Sequence, residues 1–329
     1  MEESLPQGSI DWKRASLLAA GSALFGLYLL RLDWGAVRDT RSAFPVGIGF
    51  LVVVLNLLTG ALKYGRWSGL LRRRGIEERG SALEEYLAIN AGFFLGLVTP
   101  GTSGELTRGA FSGVASARAT SIVGYEKTSD LAVLLLMVAG SFVVQFTSGL
   151  ESWVASGLIM LVSGAAYVLF LRFDKMVTAP VRLLLERFGN ERHVETARGM
   201  YWEFYELLKD RRALVVSLAY SALLWLLPVI QMHLIMVGLG GDVPFKTSAF
   251  TFLFPYLIGV LSLIPAGIGA FDMAADAFGG RAIALAGAAT ELGSLAPLFF
   301  RVLVTVPLIA FGYVCQLILN AARKSGSAA

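Results

Sequence analysis

Apolar residues along this chain fall into long runs separated by short charged segments. A helix needs roughly 20 apolar residues to cross a bilayer core. Such runs occupy 15–30, 43–62, 82–99, 119–147, 152–171, 213–238, 247–264 and 291–319, with shorter apolar stretches at 105–117 and 273–290. The pattern predicts an all-α polytopic membrane protein. The first run is short, follows an acidic start (Glu2, Glu3) and is flanked by Lys13, Arg14 and Arg31. A cleaved secretory signal wants a basic start and a small-residue cleavage site, so this run reads as a retained helix.

Composition agrees with the pattern. The chain is 56% hydrophobic and 16% charged, with a mean hydropathy of +0.66. Soluble domains carry about a quarter charged residues, which excludes an ordinary cytosolic protein; disorder is excluded as well. A net charge of +4 is too mild to argue for a nucleic-acid partner. One cysteine, Cys315, and two histidines, His193 and His233, leave no internal disulfide and little for a zinc site. No metal and no cofactor is expected.

Basic residues mark the cytoplasmic face. They crowd segments 63–80 and 172–212, whereas 148–151 has none and 239–246 has only Lys246. The expected placement is multi-pass in the cytoplasmic (inner) membrane with both termini inside, next to Lys13, Arg14, Arg323 and Lys324. The loop 31–42, with three arginines against Asp33 and Asp39, dissents mildly. Trp12, Trp34, Trp67 and Trp153 fall near predicted span ends, as an interfacial belt requires. Trp67, Leu70 and Leu71 among Arg66, Arg72, Arg73 and Arg74 suit a helix lying on anionic lipid, or one covering the rim of the bundle. Met200, Phe204 and Leu207–Leu208 in 194–212 suit the rim.

Two runs end abnormally. The run 82–99 meets Pro100-Gly101-Thr102-Ser103-Gly104-Glu105, and 247–264 meets Pro265-Ala266-Gly267-Ile268-Gly269-Ala270-Phe271-Asp272. Proline removes a backbone donor and glycine loosens the chain, so Pro100, Gly101, Gly104 and Pro265, Gly267, Gly269 are breaks. Irregular backbone survives at membrane depth only inside protein or beside a wet cavity. Segments 83–118 and 247–290 therefore read as re-entrant helical hairpins, the first entering from the basic side, the second from the charge-poor side. The order span, hairpin, long span recurs over about 43–147 and 213–319, joined by an amphipathic cytoplasmic linker at 172–212. The whole of 1–329 reads as one membrane domain built on an inverted-topology repeat, the plan of many secondary transporters.

Ionisable residues at bilayer depth cost several kcal/mol, roughly 2.5–3.5 on insertion scales. The sequence places Glu105, Arg108, Glu126, Lys127, Asp130, Asp272, Asp276, Glu291 and Arg301 there. Glu105 and Arg108 share a helix face, as do Glu126 and Asp130. Glu105 also fits a capping box behind Thr102, and Asp272 fits the matching place if Gly269 caps its helix. Arg301 wants a carboxylate, Asp272 or Asp276. The group holds more acids than bases, and it reads either as salt bridges fastening hairpins to spans or as a site for a charged headgroup.

On these residues the chain resembles the lysylphosphatidylglycerol synthase transmembrane-region family, which includes the flippase domain of the multiple peptide resistance factor and stand-alone relatives. The family pattern Pro-Gly-x-x-Gly-Glu-x-x-Arg is met by Pro100, Gly101, Gly104, Glu105 and Arg108. Glu-Arg-x-x-Asp is met by Glu126, Lys127 and Asp130 with lysine for arginine. Pro-Gly-Gly-Leu/Ile-Gly-x-x-Glu and a later arginine are met by Pro265, Gly267, Ile268, Gly269, Asp272 and Arg301, with Ala266 for a glycine and aspartate for glutamate. The resemblance, over roughly 12–320, implies a lipid flippase that moves a polar lipid, aminoacylated or isoprenoid-linked, between leaflets. It implies a substrate site made of Glu105, Arg108, Glu126, Lys127, Asp130, Asp272 and Arg301, with membrane lipids as partners. The aminoacyl-transferring domain of larger members follows the membrane part, and this sequence stops at Ala329, so no enzyme activity is expected of it.

Three other readings stay open, one of them a non-transporting membrane scaffold for a lipid-modifying enzyme. An inverted repeat serves a small-molecule or ion transporter equally well. Gly101-Thr102-Ser103-Gly104 with His233 outlines an intramembrane serine protease, although a dyad leaves Arg108 and Asp272 unexplained. Abundant glycine permits tight helix packing, within one chain or in a homodimer.

Overall fold

A computed structural model describes residues 12–76, 80–112, 114, 116–146, 154, 157 and 191–326. The run 152–171, Trp153 and the linker up to residue 190 lie essentially outside the described residues. Helix accounts for every regular element described, and no strand occurs among these residues. The helices are α1 (Trp12–Arg31), α2 (Trp34–Ala43), α3 (Val46–Arg73), α4 (Ala82–Val98), α5 (Arg108–Ser112), α6 (Ser116–Phe146), α7 (Glu191–Lys209), α8 (Arg211–Gly238), α9 (Phe245–Leu261), α10 (Ala270–Ala274), α11 (Gly280–Leu285), α12 (Leu292–Phe300) and α13 (Val306–Gly326). Among the described residues four stretches are long and apolar enough to cross a membrane: Val46–Arg73, Arg118–Phe146, Arg211–Gly238 and Leu292–Ala322.

Local chemistry sets the ends. Ser81 caps α4 through a reciprocal box with Glu84: the Glu84 amide donates to Ser81 Oγ and the Ser81 amide to Glu84 Oε2 at 2.7 Å. Asp210 caps α8 by accepting from the Arg212 and Ala213 amides. Asp33 does the same for α2, so the predicted loop 31–42 is largely helix. The helix α3 does not stop at residue 62 but runs on to Arg73. Lys63 and Arg66 thereby leave the basic segment and join a buried helix face with Asn56, Gly60, Trp67 and Leu70. Trp67 is fully buried with Leu70 and Leu71 against α6 and α7, which corrects both the belt and the lipid-lying readings of this stretch. In α7, Leu207 is buried and Phe204 stacks edge-on against Tyr125, as a rim helix should.

Both breaks are present. After α4 the chain forms a 3-10 turn, Pro100–Thr107, before α5. After α9 a second 3-10 turn, Pro265–Gly267, leads to α10. The arms α4 and α9 are 17 residues each, about 26 Å at 1.5 Å per residue. The helix α4 packs on α13, and α9 packs on α6. The helices α3 and α8 pack together. Where α12 passes into α13 the ladder slips to π geometry over Arg301–Thr305. The Asn56 amide donates there to the Leu303 and Val304 carbonyls, and Gln231 donates to Asn56 Oδ1. Outward faces are apolar: Val46, Leu30 and Leu261 are largely exposed, as lipid-facing helices require.

Candidate functional site

The first break is shaped by Thr99. Thr99 Oγ1 donates to the Leu95 carbonyl and accepts the Gly104 amide, both at 2.7 Å. A β-carbon at Gly96 would lie 2.5 Å from Glu105 Cγ, so the 3-10 turn folds back on α4 only over glycine. The Glu105 carboxylate points into a buried ionic cluster.

That cluster gathers side chains from α3, α5, α6 and the first break. Glu105 Oε1 accepts from Lys127 at 2.7 Å and Glu105 Oε2 from Arg108 at 2.9 Å. Arg108 also donates to Glu126 Oε2 at 2.6 Å, with its guanidinium over the Trp67 ring. Arg66 forks onto Asp130 at 2.6 and 3.2 Å and holds an ionic contact, without hydrogen-bond alignment, to Glu126 Oε1 at 3.3 Å. Ser221 from α8 donates to Asp130 at 2.6 Å, and the Trp225 indole donates to the Asp130 carbonyl. Lys63 stands 3.7 Å from Glu105 Oε1. Buried charges persist only when paired and hydrogen-bonded, and here the partners come from five segments. The predicted excess of acids is absent: Lys63, Arg66, Arg108 and Lys127 meet Glu105, Glu126 and Asp130.

The second break carries the other pair. Asp272, wholly buried, accepts the Gly269 amide at 2.8 Å, so it occupies the N3 place expected behind a Gly269 cap. Arg301 meets both Asp272 oxygens, at 3.0 and 3.1 Å, and donates to the Ala266 and Gly267 carbonyls at 2.8 and 3.2 Å. Three bond sets thus hold the irregular turn, whose orphan carbonyls would otherwise be buried unmet. Asp276 is not the partner of Arg301; it sits half-buried on the π turn Ala275–Gly279. Glu291 is exposed at the start of α12. His233 is hydrogen-bonded to Ser248 at 3.0 Å.

The two breaks touch. Between them lies a cavity of about 90 Å³, lined by Gly96 and Thr99 of the first side, Ala266 and Gly267 of the second, and Tyr256 and Arg301. Tyr256 stacks edge-on against Trp225, which is bonded to Asp130, so one aromatic pair links the cavity wall to the first cluster.

Residues 15–312 match the model of the lysylphosphatidylglycerol synthase TM region. The chain belongs to that family. Among its relatives, a UPF0104 membrane protein of Methanothermobacter thermautotrophicus is 27% identical over 286 residues, covering 79% of this chain and 83% of that protein. A second UPF0104 membrane protein, of Methanocaldococcus jannaschii, is 24% identical over 241 residues, 68% of this chain and 71% of its own. As a lysylphosphatidylglycerol synthase TM-region protein, this is a membrane protein with helical spans. The matched stretch contains both breaks and both ionic groups. The motif residues sought from the sequence divide between the two groups, Glu105, Arg108, Glu126, Lys127 and Asp130 in one and Asp272 with Arg301 in the other. Lys63 and Arg66 escaped sequence reasoning because they look like a cytoplasmic charge run. The signal that reveals them is the spacing Asn56, Gly60, Lys63, Trp67, Leu70, one helix face in steps of three and four.

Proposed function

We propose that this chain carries the polar headgroup of a lipid between the two leaflets of the cytoplasmic membrane. The observation that carries this reading is the meeting of two broken helices at a cavity edged by Arg301 and Tyr256, with a buried ionic cluster behind it. Ions are costly at that depth unless they serve a polar path. The reading takes 43–147 and 213–319 as inverted repeats around the linker 172–212, with the breaks as re-entrant hairpins from opposite faces and both termini on the cytoplasmic side. The exchange of packing between α4–α13 and α9–α6 supports it, as does an arm length of about 26 Å, short of a core of about 30 Å. Rocking of one half on the other would expose the headgroup alternately while the acyl chains stay in the bilayer.

The test is a leaflet-specific assay in proteoliposomes with a fluorescent polar lipid. The wild-type chain should speed exchange between leaflets, and Arg108→Ala should abolish the gain. Exchange equal to empty vesicles, with uptake of a soluble substrate instead, would replace the lipid reading by a small-molecule transporter.

A further inference from the structure

The first ionic cluster is not a closed set of salt bridges. Asp130 is matched by Arg66, Glu126 by Arg108 and Glu105 by Lys127, each through a bond of 2.6–2.7 Å. Lys63 is the base left over. It is nine-tenths buried, makes no hydrogen bond to the described residues, and only shares Glu105 Oε1 at 3.7 Å, too long for one. Its ammonium lies 3.4 Å from the centre of the Phe93 ring, an interaction that softens the loss of water but supplies no counter-charge. Its strongest charged neighbours are Glu105, Lys127, Arg108 and Asp130, two of each sign. A buried ammonium with three donors and no acceptor of its own is a costly arrangement.

We infer that Lys63 and Lys127 form a binding site for a singly charged phosphate-type oxyanion, the phosphodiester of a lipid headgroup. Both ammoniums converge on one oxygen of Glu105, so a single two-oxygen anion can bridge them. One uncompensated charge matches one negative charge. Lys127 is a third exposed and gives the anion its way in; Lys63 is the buried end. The arginines do not compete for this part. Arg66 is forked on Asp130, Arg108 is bonded to two carboxylates and Arg301 is bonded to Asp272 and two carbonyls. Arg301 is thus a positioning residue that holds the second break in shape. Lysine suits the task, because an ammonium meets phosphate as a point charge and can turn between Glu105 and a ligand. The inference rests on the lipid-moving reading only for the source of the anion.

The experiment is equilibrium binding to the full chain in a phosphate-free maltoside detergent, read by native mass spectrometry. The probes are phosphatidylglycerol, diacylglycerol with the same acyl chains, and glycerol phosphate. Phosphatidylglycerol should bind at least about tenfold tighter than diacylglycerol. Lys63→Met should weaken it by about tenfold, the loss of about 1.4 kcal/mol of charge attraction, and Lys63→Arg should keep it within about threefold. Lys127→Met is the second variant and should weaken it likewise. Because Lys63→Met removes an unmatched buried charge, its melting temperature should hold or rise, so lost binding is not lost folding. Phosphatidylglycerol bound by Lys63→Met and Lys127→Met as by the wild type, or no better than diacylglycerol, would overturn the site. Glycerol phosphate bound as tightly as the lipid, and equally dependent on Lys63, would keep the site and move its ligand to soluble phosphate esters. Lys63-dependent binding without any leaflet exchange would sink the transport reading alone, and exchange with Lys63-independent binding would sink the site alone.

Discussion

At the scale of single residues the most telling position is Ala266. Its backbone lies in the left-handed region at φ 51°, where an L residue with a β-carbon pays roughly 1–2 kcal/mol. It stands where the family pattern has glycine, and the turn needs that conformation to present the Ala266 carbonyl to Arg301 at 2.8 Å. Ala266→Gly should therefore stabilise the protein by about 0.5–1 kcal/mol, after the extra chain entropy of glycine is subtracted. A thermal melt in detergent reads this as a higher melting temperature, and an unchanged or lower one would show the turn to be unstrained. The identity of such residues was legible in the sequence, and so was the Gly269–Asp272 cap. The bonding was not: Glu105 fits a capping box by spacing, yet a close turn over Gly96 and Gly104 turned its carboxylate inward.

At the scale of elements, caps and continuations decide how charge is distributed. Asp210 joins α7 to α8 and lies on the rim, where Arg73 reaches it at 3.2 Å. The Ala213 amide, then the Arg212 amide and Arg73, hold its carboxyl below the usual aspartate range. A lowered value means the cap's charge stabilises the fold above about pH 4 and that this contribution is lost as pH falls through the lowered value. Asp210→Asn keeps the cap but not the charge. It should melt slightly below the wild type at neutral pH, and the gap should close on acidification; a gap that stays constant with pH would contradict the assignment. Existence and type of elements were largely written in the apolar runs. Their ends were not, because α3 continues past the apolar run once Arg66 pairs with Asp130 on α6 and Lys63 comes up to Glu105 of the first break.

At the scale of the whole molecule the first cluster ties together segments up to about 155 positions apart, as the Arg66–Ser221 bond shows. Removing a paired member of such a network leaves its partner buried without a counter-charge, which costs about 3–5 kcal/mol. Arg66→Met should destabilise by that order, since Asp130 loses its fork. The double variant Arg66→Met with Asp130→Asn should recover a large part of it, because the stranded carboxylate is gone too. Chemical or thermal unfolding of the four members of this cycle measures the coupling, and simple additivity would mean the fork is not what holds α3 to α6.

The sequence by itself determined that this chain lives in a bilayer, that it is helical throughout, and that two helices break at proline and glycine beside buried acids. Those properties are local: each follows from what a residue does to its own stretch of backbone or to its own transfer from water. Only the tertiary structure decided that Lys63 and Arg66 belong to the buried cluster, that Arg301 is held by the second break, and that both breaks border one cavity. These depend on which helices pack against which. Charges far apart along the chain settle together because the low-dielectric interior makes an unmatched ion too costly to leave alone.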